Sequence, residues 1–286
     1  MQPPVPSIWV DGEPATALPL PDRGLDFGDG LFETLLLQLG HAHFLDYHLQ
    51  RLSSGLQRLA FPDCLARCES ALRTAAQGLA ELPWAALRIT VSRGAGPRGY
   101  APPPDATPRI VVTAAPLQQD HRDPPAPLDV AVAQIRWSAQ PALAGLKHLN
   151  RLEQVIAARQ ATAAGADDAL MLDAAGNVCS LAAANLFIVE SGCLYTPPLA
   201  DCGILGTRRR LVIERLAPAC GLSVLEQSLS LQRVQDAEEV FCSNSLRGLQ
   251  PVGSCDTRRW QDHPVARRLH QAYVDVLARD FDGGTA

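Results

Sequence analysis

The chain has 286 residues and a formal net charge of -5, with 47% hydrophobic and 19% charged residues. This is the composition of an ordinary globular chain with one large or two medium domains. Because no basic block is present, nucleic acid and anionic membrane are poor candidates for the main partner. The N-terminal residues lack the features of a signal peptide, and no apolar run could span a bilayer, so we expect a cytoplasmic protein.

Strand-like and helix-like patterns alternate along the chain and predict an α/β or α+β fold. In the first half, we predict strands at 8–12, 31–40, 86–94 and 109–117 and amphipathic helices at 44–61 and 64–82. In the second half, we predict strands at 129–137 and 240–245, turn-containing strand segments at 168–180 and 185–198, and helices at 151–165, 206–221 and 263–281.

A polar, proline-rich stretch, QQDHRDPPAP at 118–127, interrupts this alternation. Such a composition is typical of a linker. We therefore predict an N-terminal domain at 1–117 and a C-terminal, cofactor-binding domain at 128–286.

The eight cysteines are scattered along the chain. Cys64 and Cys68 share a helix face, but no second pair or nearby histidine completes a metal site. We therefore expect reduced thiols and no metal centre.

Lys147 is the only lysine among the 25 basic residues and lies in the segment LAGLKHLNRLE. A desolvated lysine amine can lose its proton and act as a general base or form a Schiff base, whereas arginine stays protonated. The alternative is a solvated surface lysine, since most lysines are exposed.

Two segments have features of a phosphate site. Glycines at 203 and 206 precede a predicted helix that begins with Thr207 and Arg208, and the first N–H groups of a helix favour anions. A polar loop, Ser243-Asn244-Ser245, follows a predicted strand. The alternatives are a plain glycine-rich helix start and an ordinary turn. Arg51, on the first long helix, is either a further phosphate ligand or a solvated side chain.

A Gly/Pro-rich loop at 92–103 carries Arg98 and Tyr100. A guanidinium beside a phenol suits a carboxylate ligand, although a plain surface loop is the alternative. An amine nucleophile, several phosphate contacts and a carboxylate clamp together are what a phosphorylated aldehyde cofactor needs, which points to pyridoxal 5'-phosphate.

The chain resembles the fold-type IV pyridoxal-phosphate enzymes, which include branched-chain and D-amino-acid aminotransferases and 4-amino-4-deoxychorismate lyases. The resemblance runs from DRGLDFGDGLFET at Asp22 to NSLRGLQPV at Asn244. The segments SRGAGPRGY and LAGLKHLNRLEQV are most similar to those of the lyases. The resemblance to the fold-type IV enzymes implies a two-domain fold like that of the D-amino-acid and branched-chain aminotransferases.

The resemblance also implies roles for individual residues. Lys147 would carry the cofactor on its amine and act in catalysis, with Thr34 nearby as a hydrogen-bonding group. The cofactor phosphate would be bound by Arg51, by the backbone N–H groups of Thr207 and Arg208, and by the Ser245 hydroxyl. The substrate would be bound by Arg98, Tyr100, Asn244 and Arg247, with Arg98 and Tyr100 reaching in from the partner subunit of a homodimer whose active site lies near the subunit interface.

One position departs from the pattern of the family. Where related enzymes have a glutamate that pairs with the pyridine nitrogen, this chain has Ser180 in the segment GNVCSLAAANLF. A carboxylate favours the protonated ring and a strong electron sink, whereas a hydroxyl only donates or accepts a hydrogen bond. The change therefore weakens the case for an aminotransferase more than the case for a lyase.

The resemblance thus implies conversion of 4-amino-4-deoxychorismate to 4-aminobenzoate and pyruvate, a step towards folate. Two alternatives remain open at this point. One is a D-amino-acid or branched-chain aminotransferase of the same fold, and the other is a weakly active or non-catalytic member that binds phosphate compounds or a partner protein.

Overall fold

A computed structural model describes residues 8–283 of the chain. Its residues divide into two compact units. Of the described residues, the first unit contains those up to Asp120, the short segment Lys147–Asn150 and those from Arg279 onward, and the second contains His121–Leu146 and Arg151–Ala278. Residues 1–7 of the predicted N-terminal domain and residues 284–286 of the predicted C-terminal domain lie outside the described residues.

The first unit is an antiparallel sheet with helices packed on it. Its elements are β1 (Ile8–Val10), β2 (Glu13–Pro14), α1 (Arg23–Phe27), β3 (Gly30–Gln38), β4 (His41–Ala42), α2 (Leu45–Arg58), α3 (Leu65–Gln77), β5 (Trp84–Ser92) and β6 (Arg109–Pro116). The strand order is β2-β1-β6-β5-β3-β4. The helix α2 packs on β3 and α3 packs on β5 and β6, and the side chains of Leu35, Leu87 and Ile89 between these layers are fully buried.

The second unit is a larger mixed sheet. Its elements are β7 (Leu128–Trp137), α4 (Leu152–Ala163), β8 (Asp168–Asp173), β9 (Asn177–Leu181), β10 (Asn185–Glu190), β11 (Cys193–Thr196), α5 (Thr207–Leu211), a π-helical turn (Val212–Leu216), α6 (Ala217–Ala219), β12 (Ser223–Glu226), β13 (Leu229–Ser230), α7 (Leu231–Asp236), β14 (Glu239–Asn244), β15 (Gly248–Cys255), β16 (Arg258–Arg259) and α8 (Pro264–Phe281). Nine strands run in the order β12-β11-β10-β14-β15-β7-β8-β9-β13, and β16 pairs with β15. The last residues of α8 belong to the first unit.

The α/β class predicted from the sequence is confirmed, and the helices α2, α3, α4 and α8 lie within the helical ranges predicted from the sequence. Two short helices, α1 and α7, and six strands, β2, β4, β12, β13, β15 and β16, were not predicted. The helix α1 begins where the Asp22 carboxylate accepts hydrogen bonds from the N–H groups of Gly24 and Leu25, at 2.8 and 3.3 Å. Five residues are too few to show a helical period, and the same holds for α7. Within the described residues, no helix is both long and apolar enough to cross a membrane.

Candidate active site

Lys147 is held by the backbone of β3 in the first unit. The Lys147 carbonyl accepts a hydrogen bond from the Phe32 N–H at 2.9 Å, and the Leu149 N–H donates to the Gly30 carbonyl at 3.0 Å. The segment around Lys147 thus pairs with the strand edge, with Leu31 opposite His148. Backbone pairing of this kind fixes where the lysine side chain begins.

The Lys147 amine lies over an aromatic ring together with a second cation. Its Nζ is 4.3 Å from the centroid of the Phe32 ring, and the guanidinium carbon of Arg88 is 3.9 Å from the same centroid. Burial lowers the pKa of Arg88. Thr34 is two residues from Phe32 on the same face of β3 and lies opposite Arg88 in the pairing of β3 with β5. The half-buried face therefore combines an amine, a guanidinium and a hydroxyl, a set that suits an anionic ligand.

Arg51 makes a two-point ion pair with Glu33. Its Nε donates to Oε1 at 2.7 Å and its Nη2 donates to Oε2 at 2.5 Å, while His48 Nδ1 lies 2.6 Å from Oε2. Burial alone would raise the pKa of Glu33, but Arg51 and His48 outweigh it and lower the pKa to about 2. Because side chains alternate along a strand, Glu33 lies on the face of β3 opposite to that of Phe32 and Thr34. A phosphate role for Arg51 stays a prediction.

Arg98 and Tyr100 lie on an exposed loop of the first unit. The buried Arg23 holds this loop, since its Nη1 donates to the Gly99 carbonyl at 3.0 Å and its Nη2 to the Tyr100 carbonyl at 2.7 Å. The Tyr100 side chain is 86% exposed and meets Phe27 edge to face. The loop is thus anchored by its backbone while Arg98 and Tyr100 face outward.

In the second unit, the two predicted phosphate segments meet. The hydroxyls of Thr207 and Ser245 are 3.2 Å apart at the start of α5, which continues through the π-helical turn into α6. Gly206 precedes the helix and lies against Asn185, the first residue of β10. A Cβ atom at position 206 would lie 2.0 Å from Asn185 Oδ1, so only glycine leaves room for this approach. Helix N–H groups and two hydroxyls gathered at one place are a suitable cradle for a phosphate.

The neighbouring Arg208 is fully buried. Its Nε donates to the Tyr273 hydroxyl at 3.3 Å. The phosphate-binding role predicted for Arg208 uses its backbone N–H. Because Arg208 is in the first turn of α5, this N–H is not part of the i to i−4 hydrogen bonds within the helix.

The other predicted residues of the second unit have identifiable protein partners. Ser180 is buried on β9, and its hydroxyl donates to the Leu181 carbonyl at 2.7 Å. Asn244 donates to the Ala183 carbonyl at 2.9 Å, and its Oδ1 accepts the N–H groups of Leu246 and Arg247. The Arg247 Nη1 lies 2.6 Å from the Asp168 carboxylate. Contacts of Asn244 and Arg247 with substrate, and of Ser180 with cofactor, stay predictions.

The matched motifs and the fold define the class of this protein. The chain belongs to the class IV amino-transferase family, whose sequence pattern matches residues 30–255. Members of this class depend on pyridoxal phosphate, and the resemblance drawn from the sequence motifs is thereby confirmed.

Two lyases and one aminotransferase show how similar this chain is to individual proteins. The chain is 34% identical over 252 residues to the aminodeoxychorismate lyase of Vibrio harveyi, covering 86% of this chain and 90% of that protein. The crystal structure of 4-amino-4-deoxychorismate lyase from Pseudomonas aeruginosa is 38% identical with a TM-score of 0.87, covering 94% of this chain and 98% of the other. A hypothetical aminotransferase from Mycobacterium tuberculosis in its PLP-bound form shares the fold, with 23% identity and a TM-score of 0.82 over 96% of this chain and 99% of that one.

Proposed function

We propose that this protein is a pyridoxal-phosphate-dependent lyase that converts 4-amino-4-deoxychorismate to 4-aminobenzoate and pyruvate. Similarity to two lyases of this name over most of the chain supports the proposal. The observation that carries it is the placement of Lys147, the sole lysine, with its amine 4.3 Å from the Phe32 ring and Arg88 beside the same ring.

The predicted site residues supply groups for each part of the cofactor. The paired hydroxyls of Thr207 and Ser245 at a helix start would hold the phosphate, with the N–H groups of Thr207 and Arg208 and with Arg51. Lys147 would hold the aldehyde carbon, and Ser180 would meet the ring nitrogen. When bound, pyridoxal phosphate supplies an electron sink for the negative charge left on a substrate carbon that loses a proton.

The residues of the chain supply the proton transfers and the orientation. The amine of Lys147 removes the proton from the amine-bearing carbon of the substrate as general base. The adjacent carbon–oxygen bond breaks, the enolpyruvyl group departs, and Lys147 returns a proton to it while the ring becomes aromatic. Arg88 attracts the dianionic substrate to the face that carries Lys147, and Arg98 and Tyr100 bind a substrate carboxylate.

An aminotransferase of the same fold is the second candidate, since the family also includes enzymes of that kind. Ser180 disfavours aminotransferase activity. A hydroxyl favours the protonated ring nitrogen less than a carboxylate does, so the ring takes up less of the negative charge from the substrate carbon. The test is to incubate the cofactor-loaded protein with aminodeoxychorismate, or with amino acids and a keto acid. Release of 4-aminobenzoate and pyruvate without keto acid supports the lyase, and keto-acid-dependent amine transfer alone contradicts it.

The proposal extends to a cytoplasmic homodimer in which Arg98 and Tyr100 complete the site of the partner subunit. The 86% exposure of Tyr100 leaves this residue accessible to a partner subunit. Sedimentation gives the subunit number. The two variants Lys147→Ala and Arg98→Ala are then mixed and assayed at a substrate concentration far below the raised KM of Arg98→Ala, where neither variant alone has much activity. Mixing should restore roughly a quarter of wild-type activity, because half of the dimers are mixed and each has one intact site. No recovery after proven subunit exchange would place Arg98 in its own subunit's site.

A further inference from the structure

Two histidines and a carboxylate converge in the first unit, and none of them has a role in the proposed reaction. His41 and His43 are on and beside the short strand β4, and Asp280 is near the end of α8. Asp280 Oδ2 lies 3.0 Å from His41 Nε2 and 2.8 Å from His43 Nδ1. Between residues 8 and 283, this is the one group of three or more histidine, cysteine, aspartate or glutamate side chains with ligand atoms within 4.8 Å of one another.

The contacts of His43 set the orientation of its ring. His43 Nε2 lies 3.1 Å from Gln38 Oε1, and Nδ1 lies 2.8 Å from Asp280 Oδ2. An imidazole nitrogen and a carboxylate oxygen this close can share a cation, which is a proton in an ion pair and a metal ion in a metal site.

We propose that His41 Nε2, His43 Nδ1 and the Asp280 carboxylate form a binding site for a divalent transition-metal ion such as Zn²⁺ or Ni²⁺. Imidazole and carboxylate ligands suit these ions. Bonds of about 2.0 to 2.2 Å place neighbouring ligand atoms of a tetrahedral site about 3.3 Å apart. The two histidine nitrogens therefore need to move only a few tenths of an ångström away from Asp280 Oδ2, from their present 3.0 and 2.8 Å. The two nitrogens lie within 4.8 Å of one another and need to reach the same separation of about 3.3 Å.

The surroundings of the cluster resemble the outer shell of a metal site. Gln38 Oε1 lies where it would accept the Nε2 proton of a His43 ring that binds the ion through Nδ1. The Phe44 N–H donates to Asp280 Oδ2 at 3.1 Å, which orients the carboxylate. The buried His43 ring stacks on Trp84, with centroids 6.0 Å apart. The side chains of His41 and Asp280 are 35% and 24% exposed, which leaves a path for the ion and room for a water ligand.

A bound ion would link two distant parts of the chain. His43 and Asp280 are 237 positions apart in sequence, and both lie in the first unit. Because the ligands come together only in the folded chain, metal binding stabilises the folded state by mass action. The expected consequence is a melting temperature that rises with metal concentration.

The experiment uses untagged, cofactor-loaded protein that has been dialysed against a chelator and then titrated with Zn²⁺ and with Ni²⁺ by calorimetry. His41→Gln removes the most exposed ligand, and Asp280→Asn removes the carboxylate. Asp275→Asn, an exposed site on the same helix, is the matched control. We expect one ion per chain in the wild type and the control, and at least tenfold weaker binding in both ligand variants. The metal-induced rise in melting temperature should be lost with it.

Binding that is equally tight in the wild type and His41→Gln would assign the ion to another place, such as the buried thiols, and overturn the proposal. Absence of binding in the wild type would overturn it as well. In that case a proton would be the cation, and NMR titration should show His43 charged at neutral pH. If Asp280→Asn fails to fold, His41→Gln decides alone, since its side chain is partly exposed.

Discussion

Arg51 and Glu33 form a buried ion pair in which two guanidinium nitrogens meet the two carboxylate oxygens at 2.7 and 2.5 Å. His48 adds a third contact to the same carboxylate at 2.6 Å. This group ties α2 to β3, the strand whose backbone holds Lys147. The pair therefore supports the strand that positions the proposed catalytic amine.

Glu33→Gln should lower the free energy of unfolding by about 3 kcal/mol at neutral pH, because it leaves a buried guanidinium without its charge partner. In the wild type, the depressed pKa of Glu33 gives stability that is complete above its ordinary value of 4.5 and is lost as the pH falls towards about 2. Urea unfolding at pH 7, 5 and 3 should show the difference between wild type and variant shrinking with acid. Glu69→Gln, at an exposed pair with Arg73, is the control and should change little. A constant difference across this range would contradict the assigned charge.

Arg51→Ala should weaken cofactor binding if this arginine contacts the phosphate. Loss of a charge-assisted hydrogen bond costs on the order of 1.5 to 3 kcal/mol, or roughly 10- to 150-fold in affinity. Titration of the cofactor-free protein measures it, and Arg58→Ala, an exposed change on the same helix, is the control. The variant also removes the arginine partner of Glu33 and leaves only His48 beside the carboxylate, so its unfolding should be measured alongside. A less stable variant with unchanged cofactor affinity would restrict Arg51 to a structural role.

Arg98→Ala should raise KM for the dicarboxylate substrate at least tenfold and leave the absorption spectrum of the resting holoenzyme unchanged. The reason is that Arg98 lies on an exposed loop and is assigned to substrate alone. Arg73→Ala, exposed on α3, should alter neither quantity. A changed resting spectrum would show that Arg98 contacts the cofactor instead.

Ser180→Glu should raise the share of amine transfer relative to lyase turnover. A carboxylate within a few ångströms of the ring nitrogen raises the pKa of that nitrogen and strengthens the electron sink. Ser180→Ala should leave the ratio of the two activities near the wild-type value. If Ser180 faces away from the ring, glutamate at this buried site costs folding stability without altering the ratio. Thermal unfolding and product analysis together separate the two results.

The longer helices and strands could be predicted from the sequence, because each has enough residues to show the residue pattern of its type. The strand β15 could not, because Pro251 and Gly253 lie within it and both residue types argue against a central strand. Its neighbours β14 and β7 pair with it on either side. The register with β7 shifts between Val252 and Ser254, at Gly253, whereas Pro251 keeps its place opposite Phe241 of β14. Tertiary pairing thus overrides the local propensity.

The site was predictable only in part. Lys147 was found because it is the only lysine of the chain. Arg88 and Glu33 were missed, since each is a single polar residue in a largely apolar strand and the sequence does not show which face of the sheet receives a ligand. The cluster of His41, His43 and Asp280 gave no signal, because 237 positions separate His43 from Asp280.

The central claim is that Lys147 binds the cofactor covalently and performs the proton transfers. The most direct measurement is borohydride reduction of the cofactor-loaded protein, followed by digestion and mass spectrometry, with Lys147→Arg as a variant that keeps the charge but not the reactive amine. We expect the reduced cofactor on the peptide that contains Lys147 in the wild type, and neither label nor release of 4-aminobenzoate in the variant. A wild-type protein without label at Lys147, or a variant that still releases 4-aminobenzoate, would contradict the account.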